Sequence, residues 1–558
     1  MTTAAENKLE DPQGQLLVHA IEEKAQWIPN NMYMRYAPDN WEVCGYRTIT
    51  WKQYANAIDK MAFWFDEQLG KAVDRETMAY FGPNDPRYAI LIPAIAKNGR
   101  KLLVPDGRVT KEGLAGLIAA ASCKVWLYPE DGAAGPLVGP ESGLKLCALP
   151  SLEWMLYNEE QKRYPYDKTF EEAKWDEFVI IHTSGTTGDP KPIFHTNGMW
   201  STSKHVPILS RRHWPRGIQY ESWIGKTSLN PCPPQWIAGL HAMILSPVFL
   251  DSPCVMMPRD EVTLTPALFK KITSMNRIEG IRCPPFTINS LYADPETRQM
   301  LKSLDFVAYT GAPLDRAIGD DLSQHTRVSP LIGSTENGDQ VGLRPADRRL
   351  WYTHDFVPEN GHRMVPLDVG SDDLHELILE NVGDGRTNPF QSAFWNPGHR
   401  FLGRIETKEL YRPVKDSDGR TRWAFSARKD DLTKLSWLAK FHAQDIERRI
   451  LQHPDVQNVL VGGEARPAPY VIAQAKEGVL DGKSEAQLLE ELYNGVVAAT
   501  NKTDMDEIRI PRETVMIAKK EKPLKVSLKQ LVQRKAVEQD YSEEIEQAYV
   551  QLENSRKP

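Results

Sequence analysis

Between about residue 50 and residue 400, short apolar runs rich in β-branched and aromatic residues alternate with stretches of helical period. That alternation restricts the fold more than any other property of the chain. KVWLYP (Lys124–Pro129), EFVIIHTS (Glu177–Ser184), SPCVMMP (Ser252–Pro258) and LDFVAYT (Leu304–Thr310) read as strands, with PALFKKITSM reading as a helix between the last two. The pattern predicts an α/β fold with substantial parallel sheet. At 558 residues the chain exceeds what one hydrophobic core supports, so two or more domains are expected. Near YRPVKDSDGRTRWAFSARKDD the texture becomes more charged, and Asp416-Ser417-Asp418-Gly419 reads as a hairpin turn. A boundary close to Arg428–Asp431 follows, giving a large unit over 1–428 and a smaller α+β unit over 429–558. The smaller unit has helices at QDIERRILQH, EAQLLEELYNGVVAAT and SEEIEQAYVQLE and strands at NVLVGG and YVIAQAK.

Charge narrows the partners. A net charge of -7 argues against a general nucleic-acid binder and requires any acidic substrate to meet local basic sites. The cysteines are scattered without a CxxC pair, which indicates neither a zinc cluster nor a disulfide framework and makes a reducing compartment the default. MTTAAENKLEDPQGQ lacks the basic-then-apolar order of a signal peptide. The most apolar later stretch, Trp236–Met257, is broken by His241, Pro247, Asp251 and Pro253, so a cytoplasmic protein with no membrane span is expected.

The strand Phe178–Ile181 runs into Thr183-Ser184-Gly185-Thr186-Thr187-Gly188, where hydroxyls, backbone N–H groups and glycines that permit close approach make an anion cradle. Lys191 adds a point charge suited to phosphate. A small polar surface turn is the competing reading. The GxxxxGK[ST] pattern is absent, which removes the ordinary nucleoside-triphosphatase loop.

HTSGTTGDPKPI resembles the phosphate-loop signature of the adenylate-forming enzymes: acyl-CoA synthetases, luciferases and the adenylation domains of nonribosomal peptide synthetases. With His182 in front and Pro192-Ile193 behind, it is most similar to fungal synthetase-like modules that activate carboxylic acids. The resemblance covers most of the chain and implies a large multi-sheet N-terminal domain joined by a hinge to a small mobile C-terminal one. It further implies ATP and Mg²⁺ as cofactors. YTGAPL resembles the segment that lies along adenine, which places Gly311, Ala312 and Pro313 there. IGSTENG resembles the Gly-Ser-Thr-Glu element: Ile332, Gly333 and Ser334 would border the nucleotide, Thr335 would touch the α-phosphate and Glu336 would help hold Mg²⁺. SARKDDLTKL resembles the hinge motif, with Arg428 as its arginine and Asp430 as the pivot. Thr407-Lys408-Glu409 stands where the family usually has Thr-Gly-Asp, so Glu409 would grip the ribose. KPLKVSLKQLVQRK matches the family's C-terminal lysine string at Lys522, Pro523, Lys529, Val532, Arg534 and Lys535. Lys529 would be the catalytic lysine, and the other positive residues of that tail read as a solvated face.

Several positions depart from the family. Gln530-Leu531 follows Lys529 in place of Gly-Thr, Ile332 replaces an aromatic, and Trp437-Leu438 replaces an Asn-Gly turn on the acceptor side. NPCPPQWIAGLHAM and IRCPPFTINSLY are expected to build the acid pocket around Trp236, Gly239, Pro285 and Phe286, against the alternative that these side chains are plain core. No Asp or Glu lies between Lys226 and Leu250, which disfavours an α-amino acid because a buried ammonium needs a partner, and points to an apolar or aryl acid. Only seventeen residues follow Tyr541, too few for a carrier or reductase domain. The expected reaction is therefore acid adenylation followed by acyl transfer in trans, favoured as amide or ester formation with a small-molecule nucleophile. An acyl-CoA ligase, a loader of a separate carrier protein, and a catalytically impaired ATP- or partner-binding relative are the alternatives.

Overall fold

The computed structural model describes residues 14–107, 109–130, 138–139, 142–157, 160–184, 190–367, 373–382, 388–429, 432–436, 440–503, 508–527 and 531–555. Its contacts divide into two compact units. The first takes the described residues of Met1–Met364, Ile378–Glu406 and Pro413–Ala424; the second takes those of Val365–Leu377, Thr407–Arg412 and Phe425–Pro558.

In the first unit, β1 (Met32–Tyr36) and β2 (Arg47–Thr50) start one sheet. The chain then builds a second from β3 (Thr77–Tyr80), β4 (Lys101–Leu103), β5 (Cys123–Pro129), β6 (Lys145–Leu149), β7 (Glu177–Ser184) and β8 (Pro190–Thr196). It returns to the first sheet with β9 (Ser228–Asn230), β10 (Cys254–Met256), β11 (Gly280–Cys283), β12 (Phe306–Thr310), β13 (Arg327–Ser334) and β14 (Gly338–Gln340). The sheet orders are β14-β13-β12-β11-β9-β10-β1-β2 and β6-β5-β3-β4-β7-β8. The interior pairings are parallel, and β2, β8 and β14 are antiparallel edges.

Local sequence explains the elements. Phe178, Val179, Ile180 and Ile181 of β7 are each at most 1 % exposed, so the strand is apolar on both faces, as a covered parallel strand must be. The helix Trp51–Leu69 begins with a capping box in which Thr50 and Gln53 satisfy each other's backbone N–H groups. Thr265 caps Pro266–Met275, whose first-turn proline needs no donor. The Asp416–Gly419 turn forms, and the Asp416 carboxylate accepts N–H bonds from Ala346 (2.9 Å) and Asp347 (3.1 Å).

One helix has an irregular centre. Ile237–Leu240 continues through a wide π turn, His241–Leu245, into Ser246–Leu250. Pro247 has no N–H for the Met243 carbonyl four residues back and its ring crowds that oxygen, which favours the wider turn. The Tyr33 hydroxyl supplies the missing donor to Met243 at 2.6 Å.

The second unit holds an antiparallel pair, Val456–Gly462 with Tyr470–Ala475, extended in parallel by Val515–Ile517. Helices Ala443–Ile450 and Glu485–Leu492 bury Ile446 and Leu488 with Val459, Val461 and Val471 in one core. The C-terminal helix Ser542–Ser555 closes the other sheet face through Ile545, Tyr549 and Leu552. The architecture is therefore mixed α/β, with a large multi-sheet part and a smaller sheet-containing part.

Candidate active site

The site forms where β7 and β13, strands of different sheets, end in the same place. Their C-terminal ends are where open parallel sheets offer ligands a crevice. Thr183, near the end of β7, donates its hydroxyl to Glu336 Oε1 at 3.2 Å, joining residues 153 positions apart. Lys191 stands directly opposite Thr183 in the β7–β8 pairing and is exposed. Ser184 closes the same ladder against Pro190, whereas Gly185, Thr186, Thr187 and Gly188 lie outside the described residues.

The segment after β13 is held mainly by its backbone. His195, fully buried on β8, bonds the Thr335 carbonyl through Nε2 at 2.7 Å, and Trp200 Nε1 meets its Nδ1 at 3.0 Å. The indole N–H can only donate, so Nδ1 accepts and the imidazole proton sits on Nε2, directed at Thr335. Burial pushes the His195 pKa down to about 4, which keeps the ring neutral and the relay intact at ordinary pH. Asn396 Nδ2 donates to the Glu336 carbonyl (2.8 Å) and the Ser392 hydroxyl to that of Asn337 (2.7 Å). Asn337 N–H returns to the Ser334 hydroxyl at 3.1 Å. Three successive carbonyls are thus satisfied by side chains, and the carboxylate of Glu336 is left to face Thr183.

Ile332, Gly333 and Ser334 pair with Gln340, Asp339 and Gly338 in the β13–β14 hairpin. Gly311, Ala312 and Pro313 form the turn between β12 and the helix Arg316–His325, with Ala312 half-buried and its neighbours exposed. On β7, His182 Nε2 accepts from the Asp106 N–H at 2.9 Å.

The expected acid-pocket residues divide by role. Trp236 directs Nε1 toward the Asp106 carboxylate at 3.4 Å. Gly239 is a packing position: a Cβ there would lie 2.1 Å from the Pro233 carbonyl oxygen. Pro285 starts the helix Pro285–Ala293 and is buried, with Phe286 half-buried beside it. A separate cavity of about 50 Å³, which Gly338 two residues after Glu336 helps to form, is lined by Ile237, His241, Asp339 and Ser392, and by His195. Counting acids only between Lys226 and Leu250 missed Asp339, which reaches this cavity from the hairpin. His195, Trp200 and Asn396 were also missed; a histidine within the apolar run Ile193-Phe194-His195 was the available signal.

In the second unit, Glu409 accepts from the Tyr411 hydroxyl at 2.9 Å, two residues along the same strand. Burial raises its pKa above the ordinary carboxylate range, against the pull of Tyr411 and Arg428. Arg428 ends the strand Thr421–Arg428 and is exposed. Asp430, Trp437, Leu438 and Lys529 lie outside the described residues. Among the described residues no cluster of three or more His, Cys, Asp or Glu side chains could hold a metal, and no helix is long and apolar enough to cross a membrane.

Comparison with known proteins agrees with this geometry. The AMP-binding enzyme family matches residues 32–353, and the AMP-binding enzyme C-terminal domain matches 430–553. The chain is 27% identical over 556 residues to an isocyanide synthase-NRPS hybrid of Aspergillus fumigatus, covering 97% of this chain and 34% of the relative. It is 26% identical over 549 residues to a carboxylic acid reductase of Neurospora crassa, covering 96% and 51%. The chain thus spans about a third to a half of the length of these relatives. The ATP-bound crystal structure of MatB from Rhodopseudomonas palustris superposes with a TM-score of 0.70 at 16% identity, over 96% of this chain and 100% of that one. With more than half of its length matched, and with the family's phosphate-loop and Gly-Ser-Thr-Glu elements brought together in space, the chain belongs to the AMP-binding enzyme family.

Proposed function

We propose that this protein activates a carboxylic acid with ATP, giving an acyl-adenylate and pyrophosphate, and then passes the acyl group to a nucleophile. The observation that carries the reading is the hydrogen bond from Thr183 to Glu336. It joins the two elements that the activation step needs, one for phosphate and one for the reacting centre.

A carboxylate is a weak electrophile; when one of its oxygens attacks the α-phosphorus and pyrophosphate leaves, that oxygen becomes part of AMP, a good leaving group. Negative charge accumulates between the two during in-line attack. Groups held in place beforehand stabilise it most effectively, because they need not reorganise. Thr335 is fixed through His195, and the exposed Lys191 lies across the ladder from Thr183 as a cation for the departing phosphates. Lys529 is the proposed cation at the reacting oxygens. Glu336, a single carboxylate beside a hydroxyl, fits a Mg²⁺ that takes one or two carboxylates and otherwise phosphate and water oxygens, and such an ion would offset phosphate charge. Glu409 is the proposed ribose contact and Asp430 the hinge.

For the second step, the bulk of Trp437-Leu438 favours a compact amine or alcohol over a slender thiol arm. Amide or ester formation is therefore the preferred product, with a CoA thioester or a loaded carrier protein as the other outcomes. Exchange of labelled pyrophosphate into ATP across a panel of carboxylic acids tests the first step. Acid-dependent exchange is expected, and its absence with every acid would refute adenylation. Product masses with CoA, amines and alcohols present decide the acceptor.

A further inference from the structure

The cavity that Gly338 helps to form contains a polar arrangement that the adenylation chemistry does not use. Asp339 lies directly across the β13–β14 hairpin from Gly333, three residues after Glu336. Its carboxylate meets His241 Nε2 at 2.7 Å, 42% of its side chain is exposed, and it lines the cavity. The other walls are largely apolar, including Met199, Leu245 and Val341.

The His241 ring is oriented from behind. Arg282, almost completely buried, donates Nη1 to the Ser246 hydroxyl oxygen at 2.6 Å and Nη2 to that of Ser228 at 3.3 Å. His241 Nδ1 lies 3.1 Å from the Ser246 hydroxyl and 3.4 Å from Arg282 Nη1, and the guanidinium can only donate. Nδ1 is then an acceptor and Nε2 carries the proton given to Asp339. The π turn supports the contact, since His241 opens it and Ser246 follows it, five residues on. Burial alone would raise the Asp339 pKa, but the His241 ring against it, with the Tyr220 hydroxyl, holds it below the ordinary range. An ionised carboxylate has about four lone-pair sites, more than His241 and Tyr220 can engage.

We infer that Asp339 selects the acid: the activated substrate carries a hydroxyl or amino donor that seats against the Asp339 carboxylate, and His241 is a positioning residue for it. This rests on the adenylation reading and narrows its substrate class. A plain hydrocarbon chain in the cavity would face a carboxylate without offering it a donor, and a site built to bond a donor rejects the analogue that lacks one. The donor belongs on a small acid, because the cavity has room for only a few heavy atoms beyond the activated carboxyl group. Gly333 helps make the geometry possible, since a Cβ there would stand 3.0 Å from Asp339 Oδ1.

The test uses the full chain and acids matched in shape, such as benzoate against 3-hydroxybenzoate and 3-aminobenzoate, and butanoate against 3-hydroxybutanoate. The readout is kcat/KM for pyrophosphate exchange. The wild-type protein is expected to favour the donor-bearing member by about tenfold or more. Asp339→Ala should bring that ratio near one while turnover of the unsubstituted acid persists. Asp339→Asn, which keeps the shape, should also lower it and serves if the Ala variant does not fold. His241→Phe should raise KM for the donor-bearing acid with kcat for the unsubstituted one retained. A wild-type preference for unsubstituted acids, or a ratio unchanged in the Asp339 variants, would overturn the inference. Exchange with no acid at all would overturn the adenylation reading and this inference with it.

Discussion

His195 shows how much a single residue contributes to the site without touching a ligand. Its neutral ring connects the Trp200 indole to the Thr335 carbonyl, and the two rings are shielded from water. His195→Phe keeps the volume but leaves a buried N–H and a carbonyl unpaired, each costing about 1–3 kcal/mol. Urea unfolding should show that loss, together with lower acid-dependent turnover; unchanged stability would mean Thr335 has another donor. Thr183 and Glu336 were visible as candidates in the sequence because their motifs are local strings of small polar residues, and the fold brings the two together. His195 and Asp339 were not, because their roles depend on partners supplied by other elements. Asp339 acquires its meaning only when the helix carrying His241, 98 residues earlier, packs beside its hairpin.

At the scale of elements, strand and helix positions followed from apolar pattern and capping. β7 spans Glu177–Ser184 and the helix Pro266–Met275 starts at its proline, as the sequence predicts. The π turn at His241–Leu245 was not foreseen, since His241 and Pro247 read in the sequence only as breaks in an apolar stretch. Gly239, in the turn before it, was expected to shape the acid pocket, but its neighbour is backbone. Because the Pro233 carbonyl cannot swing aside as a side chain can, Gly239→Ala should destabilise by roughly 1–3 kcal/mol and lower the Tm. A variant with unchanged Tm and altered acid preference would return Gly239 to the pocket. On the strand Arg404–Lys415, Glu409→Ala removes a charged acceptor, a loss of about 1.5–3 kcal/mol if it binds ribose. Nucleotide affinity should then fall by about one to two orders of magnitude, as titration calorimetry would show; unaltered affinity would remove Glu409 from the nucleotide site. Its raised pKa implies that this contribution is lost on acidification earlier than for an ordinary carboxylate.

At the scale of the whole molecule, buried histidines make stability depend on pH. His354 and His362 flank Phe356 in a near-parallel stack, with centroids 5.5 Å and 4.1 Å from it. Burial depresses both to about 3, and His195 to about 4. In the unfolded chain these rings titrate near 6.5, so the unfolded state binds more protons between about pH 6.5 and 4. Their stabilising contribution is complete above pH 6.5 and declines as pH falls toward the folded values. The slope is up to about 1.4 kcal/mol per pH unit for each ring. Denaturant midpoints should therefore fall from pH 7 to pH 5, less steeply in His362→Phe, and a flat profile would contradict the burial of these rings. The division into a large and a small unit was legible as a change of texture near Arg428. That the small unit also gathers Val365–Leu377 and Thr407–Arg412 was not, because chain order does not reveal which strands pack together.

The central claim, that this chain makes acyl-adenylates, is tested most directly by trapping them. The 558-residue chain would be incubated with ATP, Mg²⁺, a panel of small carboxylic acids and hydroxylamine, and the hydroxamate and pyrophosphate measured together. Equal amounts of the two are expected, both dependent on the acid, with Lys529→Ala reducing both by roughly 10²-fold, the scale for loss of one preorganised transition-state donor. Pyrophosphate release without hydroxamate, or no acid-dependent product with any acid, would contradict the claim.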